Sequence, residues 1–381
     1  MDSGNLAGHL LTLASGLAEL PDRRILPPRL AAGLRDTVAV LAQEAAENPA
    51  VQNLVVELSV EPATLREAFD LLQRVSTQAR QIIAGLPVPA GAELKAWSQA
   101  LARDCAAQWE DLVLQAPWLE LPGSGKSGLV LPPAITEALD RLDREATLQD
   151  IAGLDQSLCP VIEAALGDDT AIAQEPLAAL QAALRSAAEK AAARIAALAA
   201  AGRQAAALAE MDFKFLFDSA RDLFAVGYNV TERRRDASCY DLLASEARLC
   251  SFVAIAQGQV PQEHWFSLGR LLVTVHGRPI LVSWSGSMFE YLMPLLVMPS
   301  YENTLLDETC RGVVAQQIEY GRIRHVPWGM SESGYNLTDV HLNYQYRAFG
   351  VPGLGLKRGL AENLVVAPYA SLMALMVSPR L

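Results

Sequence analysis

The stretch Tyr240-Asp241-Leu242-Leu243-Ala244-Ser245-Glu246-Ala247-Arg248-Leu249 decides how the second half of this chain reads. Its apolar residues recur at helical spacing and the pattern runs on, so a helix over Tyr240–Gln257 is expected. Glu246 shares a face with Leu242, Leu243 and Cys250, whereas Asp241, five residues away, does not share that face well. A glutamate on an apolar face is costly unless it is paired or has a use, and Arg248 is a possible partner nearby in sequence. Working outward, a second short carboxylate motif follows, Trp328-Gly329-Met330-Ser331-Glu332-Ser333. A carboxylate between small polar residues is usually just solvated, but Trp328, Tyr335, Asn336 and Asp339 around Glu332 favour a sugar site.

The composition around these motifs points the same way. Twenty of the 24 aromatic residues lie after residue 210, including all nine tyrosines; before it stand only Phe69, Trp97, Trp109 and Trp118. Tyr and Trp join a flat apolar face to a polar tip. Such a lining with two carboxylates suits a neutral polyhydroxylated ligand such as a glycan, and paired carboxylates are what glycosidic-bond chemistry uses.

The net charge of −12 is uneven. Residues 1–210 hold 16 Lys and Arg against 27 Asp and Glu; residues 211–381 hold 15 against 16. The acidic first part speaks against a nucleic-acid surface, and the near-neutral second part fits an uncharged substrate. The five cysteines (Cys105, Cys159, Cys239, Cys250, Cys310) are scattered, odd in number and without CxxC spacing, which favours a reducing compartment over a disulfide framework or zinc site. Cys239 and Cys250 are expected to be small buried hydrophobes. Residues 1–20 lack the basic start of a signal peptide. The most apolar run, Leu281–Met298, is interrupted by Glu290, so the segment itself is expected to be soluble.

Residues 1–210 read as a helical region, with helices near Leu30–Glu47, Pro62–Leu86, Ala92–Gln115, Pro133–Arg144 and Pro176–Glu210 and a shorter one over Asp150–Leu166. The composition changes at Met211. From there, helical stretches at Tyr240–Gln257, Pro261–Leu271, Met288–Val297, Thr304–Ile323 and Pro368–Val377 alternate with loops rich in Gly, Ser and aromatics. Leu271–Val275 and Ile280–Trp284 flank a turn at residues 276–279 and are expected to pair as a hairpin. The reading is an all-α chain of two domains, 1–210 and 211–381, the second a helical toroid with its site at one mouth.

Several patterns have plainer readings. Pro122-Gly123-Ser124-Gly125-Lys126-Ser127-Gly128 resembles a phosphate loop, but Glu120 stands where the pattern needs its first glycine, so a linker is expected. The histidines lack metal-ligand spacing, and no metal or cofactor is expected. The glycines of Gly350-Val351-Pro352-Gly353-Leu354-Gly355 are expected to let backbone approach closely. Glu290 could bond a sugar hydroxyl, cap a helix or pair with an arginine.

Read together, the blocks around Met211–Phe213, Leu223–Val230, Tyr240–Leu249, Pro261–Phe266, Ser283–Pro294, Val326–Ser333, Phe349–Leu360 and Ala367–Ala370 resemble, in order, the glycoamylase-like middle domain of bacterial cyclic β-1,2-glucan synthases. The resemblance covers residues 211–381. It implies an incomplete (α/α)6 toroid, since the family's domain continues beyond Leu381, and apolar residues such as Leu372, Leu375 and Met376 left exposed. The helices Thr304–Ile323 and Pro368–Val377 would then lack neighbours. It implies a soluble part of a larger membrane enzyme, on the cytoplasmic side of the bacterial inner membrane, with the rest of that synthase and a β-1,2-glucan chain as partners. In the family this domain cyclises linear β-1,2-glucan by transglycosylation with net retention. Glu246 and Glu332 match the catalytic positions, with Glu332 as proton donor and Glu246 as nucleophile. Tyr228, Asp241, Trp284, Glu290, Trp328, Tyr335 and Tyr369 are the expected glucan contacts. The alternative is a glucan-binding or scaffold segment without activity of its own.

Overall fold

A computed structural model describes residues 2–45, 47–85, 92–121, 131–166, 174–275 and 277–379. The phosphate-loop-like segment 122–128 and His276 lie outside them. The chain divides into two compact units: residues 1–15 with 203–381, and residues 16–202. The division falls inside two helices, α1 (Asp2–Glu19) and α10 (Gln174–Ala209).

The unit of residues 16–202 is helical. It holds α2 (Leu30–Glu44), α3 (Pro49–Glu57), α4 (Leu65–Ala84), α5 (Ala92–Gln115), α6 (Pro133–Glu145), α7 (Leu148–Ala152), α8 (Leu154–Ser157), α9 (Cys159–Leu166) and most of α10. Leu34, Val38, Leu41, Leu54, Leu72, Leu101, Ile135 and Ile151 meet in one core. Side-chain caps fix the starts. Asn48 accepts from the Ala50 amide with Pro49 in the first turn of α3, Thr64 accepts from the Glu67 amide, and Thr147 forms a capping box with Asp150. Each such cap contributes about 1 kcal/mol. The single helix expected over Asp150–Leu166 is three short pieces, because the turn ends at Gly153 and Pro160 has no amide hydrogen to carry a helix through from α8.

The other unit is mixed, so the all-α expectation becomes mostly helical with four small antiparallel sheets. Its strands are β1 (Phe217–Asp218), β2 (Leu223–Ala225), β3 (Tyr228–Asn229), β4 (Arg234–Arg235), β5 (Cys239–Tyr240), β6 (Leu272–Val275), β7 (Arg278–Leu281), β8 (Glu332–Thr338) and β9 (Tyr344–Ala348), in sheets of order β1-β2-β5, β3-β4, β6-β7 and β8-β9. The hairpin read from sequence is β6–β7, turning at Gly277 with φ of +78°. The helices are α11 (Arg248–Ala256), α12 (Glu263–Ser267), α13 (Met288–Leu292), α14 (Leu305–Arg324) and α15 (Pro368–Met373). The helix expected from Tyr240 therefore starts at Arg248. Tyr240 is held in β5 opposite Phe224, and the Leu243 amide bonds the Gly269 carbonyl while the Gly269 amide bonds Asp241. Backbone committed to another segment cannot also close helical turns.

Two cores support this unit. One gathers Leu243, Leu281, Met288, Tyr291, Val313, Met330, Val351 and Leu354. The other gathers Ala7 of α1 with Phe213, Phe224, Leu249, Cys250 and Val253. Gly4 and Gly8 bring α1 against α11 so closely that a Cβ at Gly8 would lie 2.9 Å from Leu249 Cδ1. Helix α14 does not lack neighbours: Thr309, Cys310, Gly312, Val313, Val314 and Gln317 are buried against β7, α13 and the segment at Met330. Leu372, Leu375 and Met376 are 67, 44 and 41 % exposed.

Candidate active site

Glu246 stands at the turn that opens α11. Its carbonyl accepts the Leu249 amide at 3.1 Å, and Ser245 Oγ lies 3.2 Å from its Oε2. Arg248 is buried and does not pair with Glu246. Its guanidinium donates to the carbonyl oxygens of Ser245 (3.0 Å), Glu290 (3.0 Å) and Tyr291 (2.6 Å), tying the Glu246 turn to α13.

Glu332 opens β8 and is held by a clamp on the preceding residues. Gly329 takes a φ of +117°, and a Cβ there would lie 2.6 Å from Ser371 Oγ. The buried Gln317 of α14 bonds both the amide and the carbonyl of Met330 at 2.8 Å. Ser331 Oγ accepts the Phe289 amide. The Tyr369 hydroxyl, from the first turn of α15, lies 2.9 Å from Ser331 Oγ and 2.8 Å from the Glu332 carbonyl oxygen. The carboxyl itself accepts from Tyr346 Oη at 2.9 Å across the hairpin.

Glu290, whose charge acts on both carboxyls, is buried and used inside the protein. Its carboxylate accepts from the hydroxyls of Ser283 and Ser285 at 2.7 Å and from the amides of Ser285 and Ser287 at 3.0–3.1 Å. It thus caps α13 and shapes the 283–287 turn, and its oxygens are not offered to a ligand, against the expectation of a direct sugar contact. That turn crosses the glycine-rich segment: a Cβ on Gly350 would overlap the Ser285 carbonyl oxygen, and one on Gly355 would lie 2.5 Å from the Ser285 carbonyl carbon. The glycines serve close backbone approach, fixed by Val351 N–H to Gly286 O and Leu356 N–H to Ser283 O.

These groups share one electrostatic field. Burial, then the Glu290 and Glu332 charges, raise the Glu246 carboxyl to about 7. Burial raises Glu332, with Glu290 and Asp2 adding to it; Tyr346 and Lys357 oppose. Tyr240 is pushed up to about 12 by burial, then by Glu246, Asp2, Glu332 and Glu290. A partly buried carboxyl with other carboxylates nearby holds its proton more tightly.

The remaining expected contacts scatter. Trp284 is 61 % exposed beside the Glu290 cradle. Asp241 is exposed, with its carbonyl on Gly269. Tyr228 sits on β3 edge-on to Phe215, 5.5 Å between ring centres. Trp328 packs under α14, where a Cβ on Gly321 would meet it. Tyr335 lies on the face of the hairpin opposite Glu332, since side chains alternate along a strand. It packs edge-on to Phe349 at 5.3 Å, with Arg347 over its ring. The hairpin tyrosine that reaches Glu332 is Tyr346, and with Tyr240 and Lys357 it was not singled out by sequence. The signal was the Tyr344-Gln345-Tyr346 alternation, readable only once its pairing with β8 is known. His264 is a core residue: its ring nitrogens meet Asp222 O and Ser251 Oγ, and Phe217 and Phe224 pack edge-on to it. Among the described residues no group of three His, Cys, Asp or Glu could hold a metal.

The unit is mostly helical and holds two half-buried glutamates whose charges interact, and residues 238–381 match the glycoamylase family model, described as "Putative glucoamylase". The chain is also 55 % identical over 170 residues to the cyclic beta-(1,2)-glucan synthase NdvB of Rhizobium meliloti (strain 1021). That match covers 45 % of this chain and 6 % of the relative, so the chain corresponds to a small part of a much longer protein. The similarity supports a glucan-related, enzyme-associated role. Among the described residues no helix is long and apolar enough to cross a membrane.

Proposed function

We propose that residues 211–381 contribute a transglycosylase site that closes linear β-1,2-glucan into rings, within a helical toroid to which this chain supplies a part. The observation that supports the reading is that Glu246 and Glu332, 86 residues apart in sequence, come near enough for the Glu332 charge to raise the half-buried Glu246 carboxyl, with Glu290 acting on both. Retaining chemistry on a glycosidic bond uses one carboxylate as nucleophile and one carboxyl as acid and base. In this proposal Glu246 attacks the anomeric carbon as the C1–O bond breaks, and Glu332 gives its proton to the departing oxygen. The 2-hydroxyl at the chain's own non-reducing end then attacks C1 of the glycosyl ester, frees Glu246 and returns its proton to Glu332. One β bond breaks and one forms, with no water consumed. The partners in this reading are the glucan chain and the rest of a larger synthase at the cytoplasmic face of the inner membrane.

The test is incubation of the chain with linear β-1,2-glucan, followed by digestion with an exo-acting β-glucosidase. A glucan that resists digestion and has no reducing end is expected. Binding without conversion would leave the glucan-binding reading in its place, and neither binding nor conversion would sink both.

A further inference from the structure

We propose that Tyr346 is a positioning residue for Glu332, holding Oε2 of its carboxyl so that Oε1 is the oxygen left for exchange with substrate. This rests on the reading of Glu332 as a reacting carboxyl. Three observations carry it. The register of β8 on β9 sets Glu332 opposite Ala348 and Gly334 opposite Tyr346, so Tyr346 and Glu332 are diagonal neighbours on one face of the hairpin. Gly334 leaves that face open: a Cβ there would stand 3.2 Å from the Tyr344 ring, crowding the tyrosines that share it. Finally, Tyr346 Oη donates to Oε2 at 2.9 Å, and among the described residues no other hydrogen bond reaches this carboxyl.

The hydroxyl has no comparable structural duty. Tyr346 is 57 % exposed and belongs to neither core of its unit, so removing one oxygen takes away little packing. Burial and the bond to Glu332 push the phenol up, which keeps it a donor over the whole working range. Tyr369 contrasts with it, because its hydroxyl meets the main chain of Glu332 and the Ser331 side chain, not the carboxyl. One tyrosine sets where the residue sits, and the other sets how its carboxyl turns. A donor to one oxygen also favours the ionised form, so Tyr346 counteracts the burial that holds the proton on.

The experiment titrates the chain with 13C-labelled glutamate carboxyls by NMR, with the Glu332 signal assigned from its loss in Glu332→Gln. In Tyr346→Phe the Glu332 midpoint is expected to rise by about 0.5–1.5 units, while in Tyr369→Phe it stays. With linear β-1,2-glucan, Tyr346→Phe is expected to lose roughly tenfold to a hundredfold in kcat with KM little changed. A Glu332 midpoint that does not move in Tyr346→Phe overturns the proposal. If the unaltered chain does not convert the glucan, the transglycosylase reading fails on its own, and the titration still decides the role of Tyr346.

Discussion

Gly4 of α1 and Cys250 of α11 are in direct contact: a Cβ on Gly4 would overlap the Cys250 side chain and lie 2.7 Å from its Cα. Burial raises the Cys250 thiol to about 11, so with α1 in place it is an unreactive thiol. Gly4→Val is expected to cost about 1–3 kcal/mol through overpacking and to speed alkylation of Cys250. Peptide mapping after timed treatment with iodoacetamide measures this. Equal labelling of Cys250 in both proteins would mean that α1 does not cover it.

The paired-carboxyl reading makes a chemical prediction. Glu246→Gln and Glu332→Gln should each lose about a thousandfold or more in glucan conversion with melting temperatures no lower than that of the unaltered chain. Azide should then separate the roles. In the variant lacking the proton-exchanging carboxyl it takes over from the acceptor hydroxyl and gives a β-glycosyl azide. In the variant lacking the nucleophile it attacks directly and gives the α product. The proposal expects the β product from Glu332→Gln, and the opposite assignment would exchange the two glutamates.

Glu246 also links stability to pH. Its folded pKa of about 7 lies above the unfolded value near 4.5. Between these limits the folded state binds more protons, so stability falls as pH rises from about 4.5 to 7 and stays lower above that. The penalty reaches about 3 kcal/mol at full ionisation. Glu246→Gln should therefore melt higher than the unaltered protein at pH 8 and level with it at pH 4. Parallel melting curves with no pH-dependent gap would show that the carboxyl is not held in this environment.

The Glu290 cradle should fail in a characteristic way. Glu290→Ala leaves the Ser283 and Ser285 hydroxyls and two amides without their acceptor, at a cost of about 1–3 kcal/mol for each buried group left unsatisfied. Gly350→Ala drives a methyl group onto the Ser285 carbonyl. Both variants should unfold their unit at lower denaturant concentration while the melting of residues 16–202 is unchanged. Full stability with lost glucan binding would instead make Glu290 a sugar ligand.

How much of this was legible in the sequence depended on the range of the interaction. The long helices of residues 16–202 follow from periodicity, and α5 has the bounds read for it. Helix α3 is nine residues long and was not singled out. The two glutamates stand out as candidates through short motifs and the family resemblance those motifs carry, whereas their half-buried settings are made by contacts with residues distant in sequence. Tyr335 and Tyr346 could not be told apart, since the choice between them rests on strand register. The partner of Arg248 was equally hidden, as its three carbonyl acceptors come from Ser245 and from α13, more than 40 residues away.

Because residues 1–15 belong with residues 203–381 while residues 16–202 make a unit of their own, the order of synthesis and the order of assembly differ. At about 5–20 residues per second, roughly ten to forty seconds separate the emergence of α1 from that of the residues it is to pack on. The intervening helices can finish folding in that time, each pairing with neighbours close in sequence. The small-residue face of Gly4, Ala7 and Gly8 must wait for α11, and the contact then closes one of the longest loops in the chain. Such a contact forms late, since its entropy is lost before its packing is gained. A nascent chain halted before α11 would carry that face uncovered.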